Sequence, residues 1–260
     1  MTLWRAAPAL VAITVLMFAS TAAAQGGAYE IQVYPSELIS ARHTMFELHS
    51  NFTPLGQRNP PNGTQPTDNA LHETLEITRG FNEWFEVGGY VFTSVRAGDG
   101  WRYVGSHIRP RFTIPARWKW PVGVSLSQEI GFQQRYFSPE KWTWEIRPII
   151  DQTLGRLYWS VNLAFERALS GPEPKSFDFA PAAKVSYDVT PKVAAGVEYY
   201  ADVGPLVQPL PVSQQQHQIY PTIDLNLSPK FEFNAGVGIG LTSEGDRLVL
   251  KVIVGYRVGR

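Results

Sequence analysis

The chain has 260 residues with 23 basic and 23 acidic side chains, so its formal net charge is zero. It contains no cysteine, which excludes disulfides, thiolate nucleophiles and sulfur-ligated metals. A chain without a basic excess lacks the footprint that nucleic acid requires, and no nucleic-acid partner is expected.

The N-terminus sets the compartment. Arg5 is a short positive region, Ala6 to Ala19 runs without charge, and Ala22-Ala23-Ala24 supplies the small residues of a cleavage site. That is the pattern of a secretory signal peptide over residues 1–24, cut after Ala24. The apolar run is shorter than the roughly 20 residues of a spanning helix. Removing it takes away one basic residue, leaving 22 basic and 23 acidic, net −1. No later stretch is long and apolar enough for a spanning helix. Residues 25–41 read as a periplasmic lead-in, in which Pro35 stops the first piece and Ser36 to Ala41 forms one helical turn.

From residue 42 to 260 the apolar residues recur with period two. Twelve segments follow: His43–Phe52, Leu71–Thr78, Phe85–Val95, Tyr103–Ile114, Val122–Gln133, Trp142–Asp151, Leu157–Arg167, Phe177–Asp188, Val193–Asp202, Gln218–Leu227, Phe231–Thr242 and Leu248–Arg257. Successive strand residues face opposite ways, so each segment has one apolar face and one polar or glycine face. In the first, Phe46, Leu48 and Phe52 oppose Glu47, His49 and Asn51. In the last, Leu250, Val252, Val254 and Tyr256 oppose Lys251, Gly255 and Arg257.

Connections alternate between tight turns, at 80–83, 152–155, 189–192 and 228–230, and longer polar loops, at 54–69, 168–176 and 203–217. An even strand count and this short–long asymmetry describe an all-β protein: a closed antiparallel up-and-down transmembrane β-barrel of about 12 strands. Closure also removes the edges of so large a sheet. Its face of Leu, Val, Ile, Phe and Trp is expected to meet outer-membrane lipid. A soluble barrel would put that face inward.

The tripeptides ending in Pro110, Pro148, Pro181 and Pro221 recur every 33 to 40 residues, as a repeated hairpin leaves behind. Proline cannot donate to a sheet ladder, so bulges are expected at all four.

The turns Asp188-Val-Thr-Pro-Lys and Asn226-Leu-Ser-Pro-Lys are similar to those of bacterial outer-membrane barrels. Glu73-Thr-Leu-Glu-Ile-Thr-Arg-Gly, followed by Glu83-Trp-Phe-Glu-Val-Gly-Gly-Tyr, resembles the outer-membrane family named for the MetA pathway of phenol degradation. The resemblance implies a transport role and fixes no substrate. It implies placement in the cell outer membrane, with lipid, the barrel assembly machinery and a small-molecule solute as partners. Arg260 departs from the aromatic last residue common in such barrels.

Pairing strands about their turns places twelve charges on the interior: Glu47, Glu76, Glu86, Arg109, Arg111, Glu129, Arg147, Lys184, Glu198, Glu232, Lys251 and Arg257. Expected partners are Glu129 with Arg147, Lys184 with Glu198, Glu232 with Arg257, and Glu86 with Arg109 and Arg111. Glu76 is expected opposite Glu86, with Glu47 near Glu76 and, once the barrel closes, near Lys251. Such charges either select solutes in a wet lumen or fill it as a salt-bridged plug. Inward glycines, among them Gly123, Gly131 and Gly238, favour an open lumen.

Three functions compete: a channel or transporter with a charged lumen, a structural or adhesive barrel, and an outer-membrane lipid hydrolase. The hydrolase needs a serine beside a histidine. Ser50 and Ser106 only adjoin His49 and His107 in sequence, on opposite strand faces, so no catalytic residue, metal site or cofactor is expected.

Overall fold

The computed structural model describes residues 28–60, 63–171 and 176–259. Residues 1–24, the expected signal peptide, and Arg260 lie outside them.

Twelve strands close into an antiparallel barrel: β1 His43–Leu55, β2 Ala70–Gly80, β3 Phe85–Arg96, β4 Gly100–Thr113, β5 Gly123–Gln133, β6 Trp142–Leu154, β7 Leu157–Ala168, β8 Phe177–Thr190, β9 Val193–Asp202, β10 Gln216–Leu225, β11 Phe231–Gly240 and β12 Leu248–Gly259. Each pairs with its sequence neighbours, and β12 returns to β1 from His43↔Gly259 to Leu55↔Leu248. A two-residue bridge, Gly204–Pro205, adds to the rim beside β8. Every strand lies within three residues of its predicted bounds, because the period-two pattern and the turn residues coincide at both ends.

The outer face is apolar: Phe46, Leu48, Ile77, Val91, Ile108, Ile130, Val197, Val237, Leu250 and Val254 all point out and are exposed. Aromatic residues gather at the turn end, where Trp84 stacks on Phe112 and Trp118 and Trp120 flank Lys119. A face of this kind fits hydrocarbon bounded by interfacial aromatics.

The prolines do not bulge the sheet. Leu126↔Pro148 and Leu163↔Pro181 sit in ladders unbroken on that side. On the other side of β6 the pairing with β7 skips 147 and 148 and resumes in the same register. Pairing of β4 with β5 skips residues 109 and 110 and resumes in the same register, and β10 with β11 skips 220 and 221 likewise. A residue in an antiparallel strand aims its N–H at one neighbour only. Proline therefore deletes one rung on one side and leaves the count intact. Register shifts fall elsewhere, between Phe92 and Thr93, where Val104 is the extra residue, between Phe52 and Leu55, and between Asp188 and Thr190.

The lead-in is the main departure from expectation. Residues 28–41 do not precede the barrel; they thread through it. Tyr29 lies at the level of Asn51, late in β1, and Ile39 at the level of Glu86, beside the β2–β3 turn. The segment thus runs from the loop end to the turn end and reverses at Ala41–Arg42 to enter β1. Arg42 takes the left-handed conformation, φ 67°, and its N–H donates to Gly80 O at 2.9 Å. Ser36 to Ala41 forms no helical turn. In that narrow space backbone groups bond outward to the walls, not to one another.

Candidate functional site

An extended segment inside a barrel has no sheet partner, so its buried N–H and C=O groups must find side chains. The walls supply them. The carbonyl of Tyr29 accepts from Thr74 Oγ1 at 2.7 Å and from Asn51 Nδ2 at 3.2 Å. Ile31 O accepts from Lys251 Nζ at 3.0 Å. Tyr34 N–H donates to Asn162 Oδ1 at 2.8 Å, and Tyr34 O accepts from Ser160 Oγ and Asn162 Nδ2 at 2.8 and 2.9 Å. Ser36 donates to Asp151 through its N–H and hydroxyl, at 2.9 and 2.6 Å. Arg111 spans Pro35 O and Glu37 O, and Ile39 N–H donates to Glu86 at 2.6 Å.

Side chains of the segment are held equally well. The Tyr34 ring lies under three guanidiniums, those of Arg109, Arg147 and Arg111, at 4.3, 5.2 and 5.6 Å. Such contacts gain strength when water is excluded. Its hydroxyl hydrogen-bonds Glu30, which is also ion-paired to Arg147 at 3.5 Å. Tyr29 packs among Tyr90, Phe92 and Val104, and Ile31 against Tyr220 and Val249. The interior therefore carries two apolar clusters that seat the segment.

All twelve predicted charges lie on the inner wall, in partly different pairs. Glu86 meets Arg111 at 2.7 Å and Arg109 at 3.8 Å, and Lys184 meets Glu198 at 3.2 Å, as expected. Glu47 is directly opposite Glu76. Glu76 lies opposite Tyr90, not Glu86, and pairs with Arg109 at 2.6 Å. Glu129 lies opposite Glu145 and is ion-paired with His107; Arg147 takes Glu145 at 2.7 Å. Glu232 faces Gly255, not Arg257, and Lys251 reaches Glu198, not Glu47. Displacing a turn's centre by one residue moves the pairing by two and keeps the face, as at Glu129 and Glu232. At Glu76 the shift is four, and Lys251 lies opposite Asn51 across the β12–β1 closure.

The inward glycines are occupied. A Cβ at Gly238 would strike the Tyr220 ring, one at Gly131 the His107 ring, and one at Gly123 the side chains of Ser36 and Asp151. These positions seat neighbours and open no passage.

Among the spaces of the lumen, two lie on the side of β6 to β11. One, about 110 Å³, lies between Glu30 and Gln32 and the walls of β6 to β10, with Glu145, Glu166 and Asp202 on its lining. The other, about 500 Å³, is a vestibule at the turn end lined by Lys184, Asp224 and Glu232. Between them stands a chain of ion pairs: Lys184 bonds Asp224 at 2.8 Å and Glu198 at 3.2 Å, and Glu198 binds Lys251. Sequence reasoning missed Glu30, Tyr34, Asn51, Asp151, Ser160 and Asn162 as parts of this site. Their one signal was polar residues on inward faces with no charge to pair.

No family model and no curated protein sequence matches the chain. Solved structures share its fold. An outer-membrane channel from Pseudomonas putida F1 superposes with a TM-score of 0.63 at 9% identity, over 88% of this chain and 100% of that one. The KdgM porin in complex with disordered oligogalacturonate gives 0.52 at 9% identity, over 82% and 98%. At such identities the likeness is one of fold: a closed barrel of the kind built by outer-membrane channels.

Proposed function

We propose that this protein is an outer-membrane channel for small polar or charged solutes, held shut by its own N-terminal segment. The observation that carries the reading is residues 28–41 lying along the lumen, bound to wall side chains instead of a neighbouring strand. A purely structural barrel has no need of a separate segment whose tethers to the wall are all non-covalent and reversible. The acidic lining of the 110 Å³ space favours cations over anions. The resemblance of residues 73–90 to the MetA-pathway family points the same way, toward transport without a named substrate.

Cleavage after Ala24 would leave three residues ahead of Ala28. The segment would then be a free end anchored to the barrel only at Arg42. Such an end can withdraw without breaking a covalent loop, and opening costs only its contacts.

Absence of cysteine makes the test direct. A Cβ at Gly123 would lie 3.2 Å from Ser36 Cβ, a little below the range a disulfide bridges, and would also strike the Asp151 carboxylate. The triple variant Ser36→Cys, Gly123→Cys and Asp151→Ala, which clears that contact, should give a silent barrel in a planar bilayer when oxidised, and steps of conductance after reduction. Asp151→Ala, which removes two tethers of Ser36, should raise the open fraction. Silence in every state, with the fold intact, would favour a structural barrel with a salt-bridged lumen.

A further inference from the structure

Among the described residues, one group of inward side chains meets the segment only through a long bond from Tyr34 OH to Glu76 at 3.4 Å. Glu47 and His49 lie two apart on β1 and so share the inner face; Glu76 sits directly across from Glu47 on β2. One ligand atom from each of the three lies within 4.8 Å of the others. All three residues are buried, and His49 is wholly inaccessible.

Its ring is the anomaly. Neither nitrogen of His49 completes a hydrogen bond. Buried polar groups are nearly always satisfied, so an imidazole with both nitrogens unused needs a reason. Glu47 likewise makes no hydrogen bond or ion pair among the described residues. The Glu76 carboxylate divides its roles: Oε1 accepts from Arg109 at 2.6 Å and Thr78 at 2.7 Å, whereas Oε2 faces Nε2 of His49 at 3.4 Å and accepts a long bond from Tyr34 OH, also at 3.4 Å.

We propose that Glu47, His49 and Glu76 bind one divalent first-row transition-metal ion, of which zinc is the representative. Metal–nitrogen and metal–oxygen bonds of roughly 2.0–2.2 Å in a tetrahedron put neighbouring ligand atoms about 3.3 Å apart. The observed 3.4 Å between Nε2 and Oε2 is already such an edge, and Glu47 needs only a rotamer adjustment. One imidazole with two carboxylates suits zinc and its neighbours; calcium prefers six to eight oxygens. Three protein ligands leave a fourth position, which faces a cavity of about 100 Å³, large enough for water. That cavity is lined by five carboxylates, including Glu47, Glu76 and Glu232, and three guanidiniums. Segment residues, Tyr34 among them, line the same cavity, but the site is read by metal content and not by conductance, so its failure and that of the channel reading are distinguishable.

The test uses the untagged mature chain, refolded in detergent with and without zinc sulfate so that a closed lumen cannot bar entry. After removal of free metal, elemental analysis should find one zinc per barrel. Cobalt in place of zinc should give the visible absorption of a four-coordinate site. Glu47→Gln and His49→Gln should each weaken binding at least tenfold while keeping the gel shift of a folded barrel. Glu232→Gln, on the cavity wall but not a ligand, should bind within threefold of the parent. A folded parent that retains no metal by either route, or a His49→Gln chain that binds as the parent does, would overturn the assignment.

Discussion

Lys251 is the perturbation that separates a tethered segment from a passively filled lumen. Its ammonium is fully buried and has three partners: Glu198, with which it is ion-paired, Ile31 O at 3.0 Å and Tyr200 OH at 3.4 Å. Methionine in its place keeps most of the volume, so the cavity contribution is small. Glu198 is not stranded, because Lys184 remains at 3.2 Å and Tyr200 OH donates at 2.6 Å. The cost of Lys251→Met therefore falls below the 3–5 kcal/mol of a fully broken buried pair. The Ile31 carbonyl is left unsatisfied, which costs about 1–3 kcal/mol unless the segment moves. We expect a loss of about 3 kcal/mol in denaturant unfolding of the detergent-folded barrel. Faster amide exchange across residues 29–34 should accompany it. Glu198→Gln should cost more, since Lys251 loses its only carboxylate while Lys184 keeps Asp224 at 2.8 Å. The double variant should cost less than the two singles together, by on the order of 2 kcal/mol, because no charge is left without its partner. Additivity within about 0.5 kcal/mol would refute the coupling. Unchanged exchange over residues 29–34 in Lys251→Met would refute the tether.

Two further outcomes follow from the walls and the rim. Leu163→Arg or Val237→Arg, on the lipid face, should each cost roughly 2–4 kcal/mol in bilayer-based unfolding; the inward neighbour Asn162→Ala should cost about 1–2 kcal/mol, through its bonds to Tyr34, and raise conductance. At the loop end, Asp246 accepts from Gln57 N–H at 3.1 Å and from Thr67, and burial pushes its carboxyl above the ordinary 3.8. A raised folded value means that the folded form holds the proton more tightly. This contribution to loop docking is thus full below pH 3.8 and is lost as pH rises through the folded value. Protection of the Gln57 amide should increase on acidification from neutral pH toward 3.8, and Asp246→Asn, which keeps the acceptor oxygen, should abolish that slope.

Period-two alternation was enough to place each strand and to sort its residues into two faces, since a slip of one residue would turn every side chain to the wrong side. Which face meets lipid was read from the signal sequence, the loop polarity and the strand count. Phe46 and Glu47 could not exchange places without putting a carboxylate into hydrocarbon. Lys184 with Glu198 was also legible, although the two-residue turn 191–192 alone would set Lys184 opposite Tyr199 and the register shift between Asp188 and Thr190 restores Glu198. Across the eight-residue connection 134–141 the centre is free to move, and Glu129 duly meets Glu145 instead of Arg147. What only the tertiary structure decided is the content of the lumen. Tyr29 to Tyr34 has the composition of a short strand and no strand partner. Its backbone is satisfied by Asn51, Thr74, Ser160, Asn162 and Lys251, which come together only when the barrel closes. Local pattern carries periodicity, and so it carried the walls. Long-range hydrogen bonds from one segment to four strands leave no period in the sequence, and so the plug, and the unused imidazole of His49 beside it, appeared only in three dimensions.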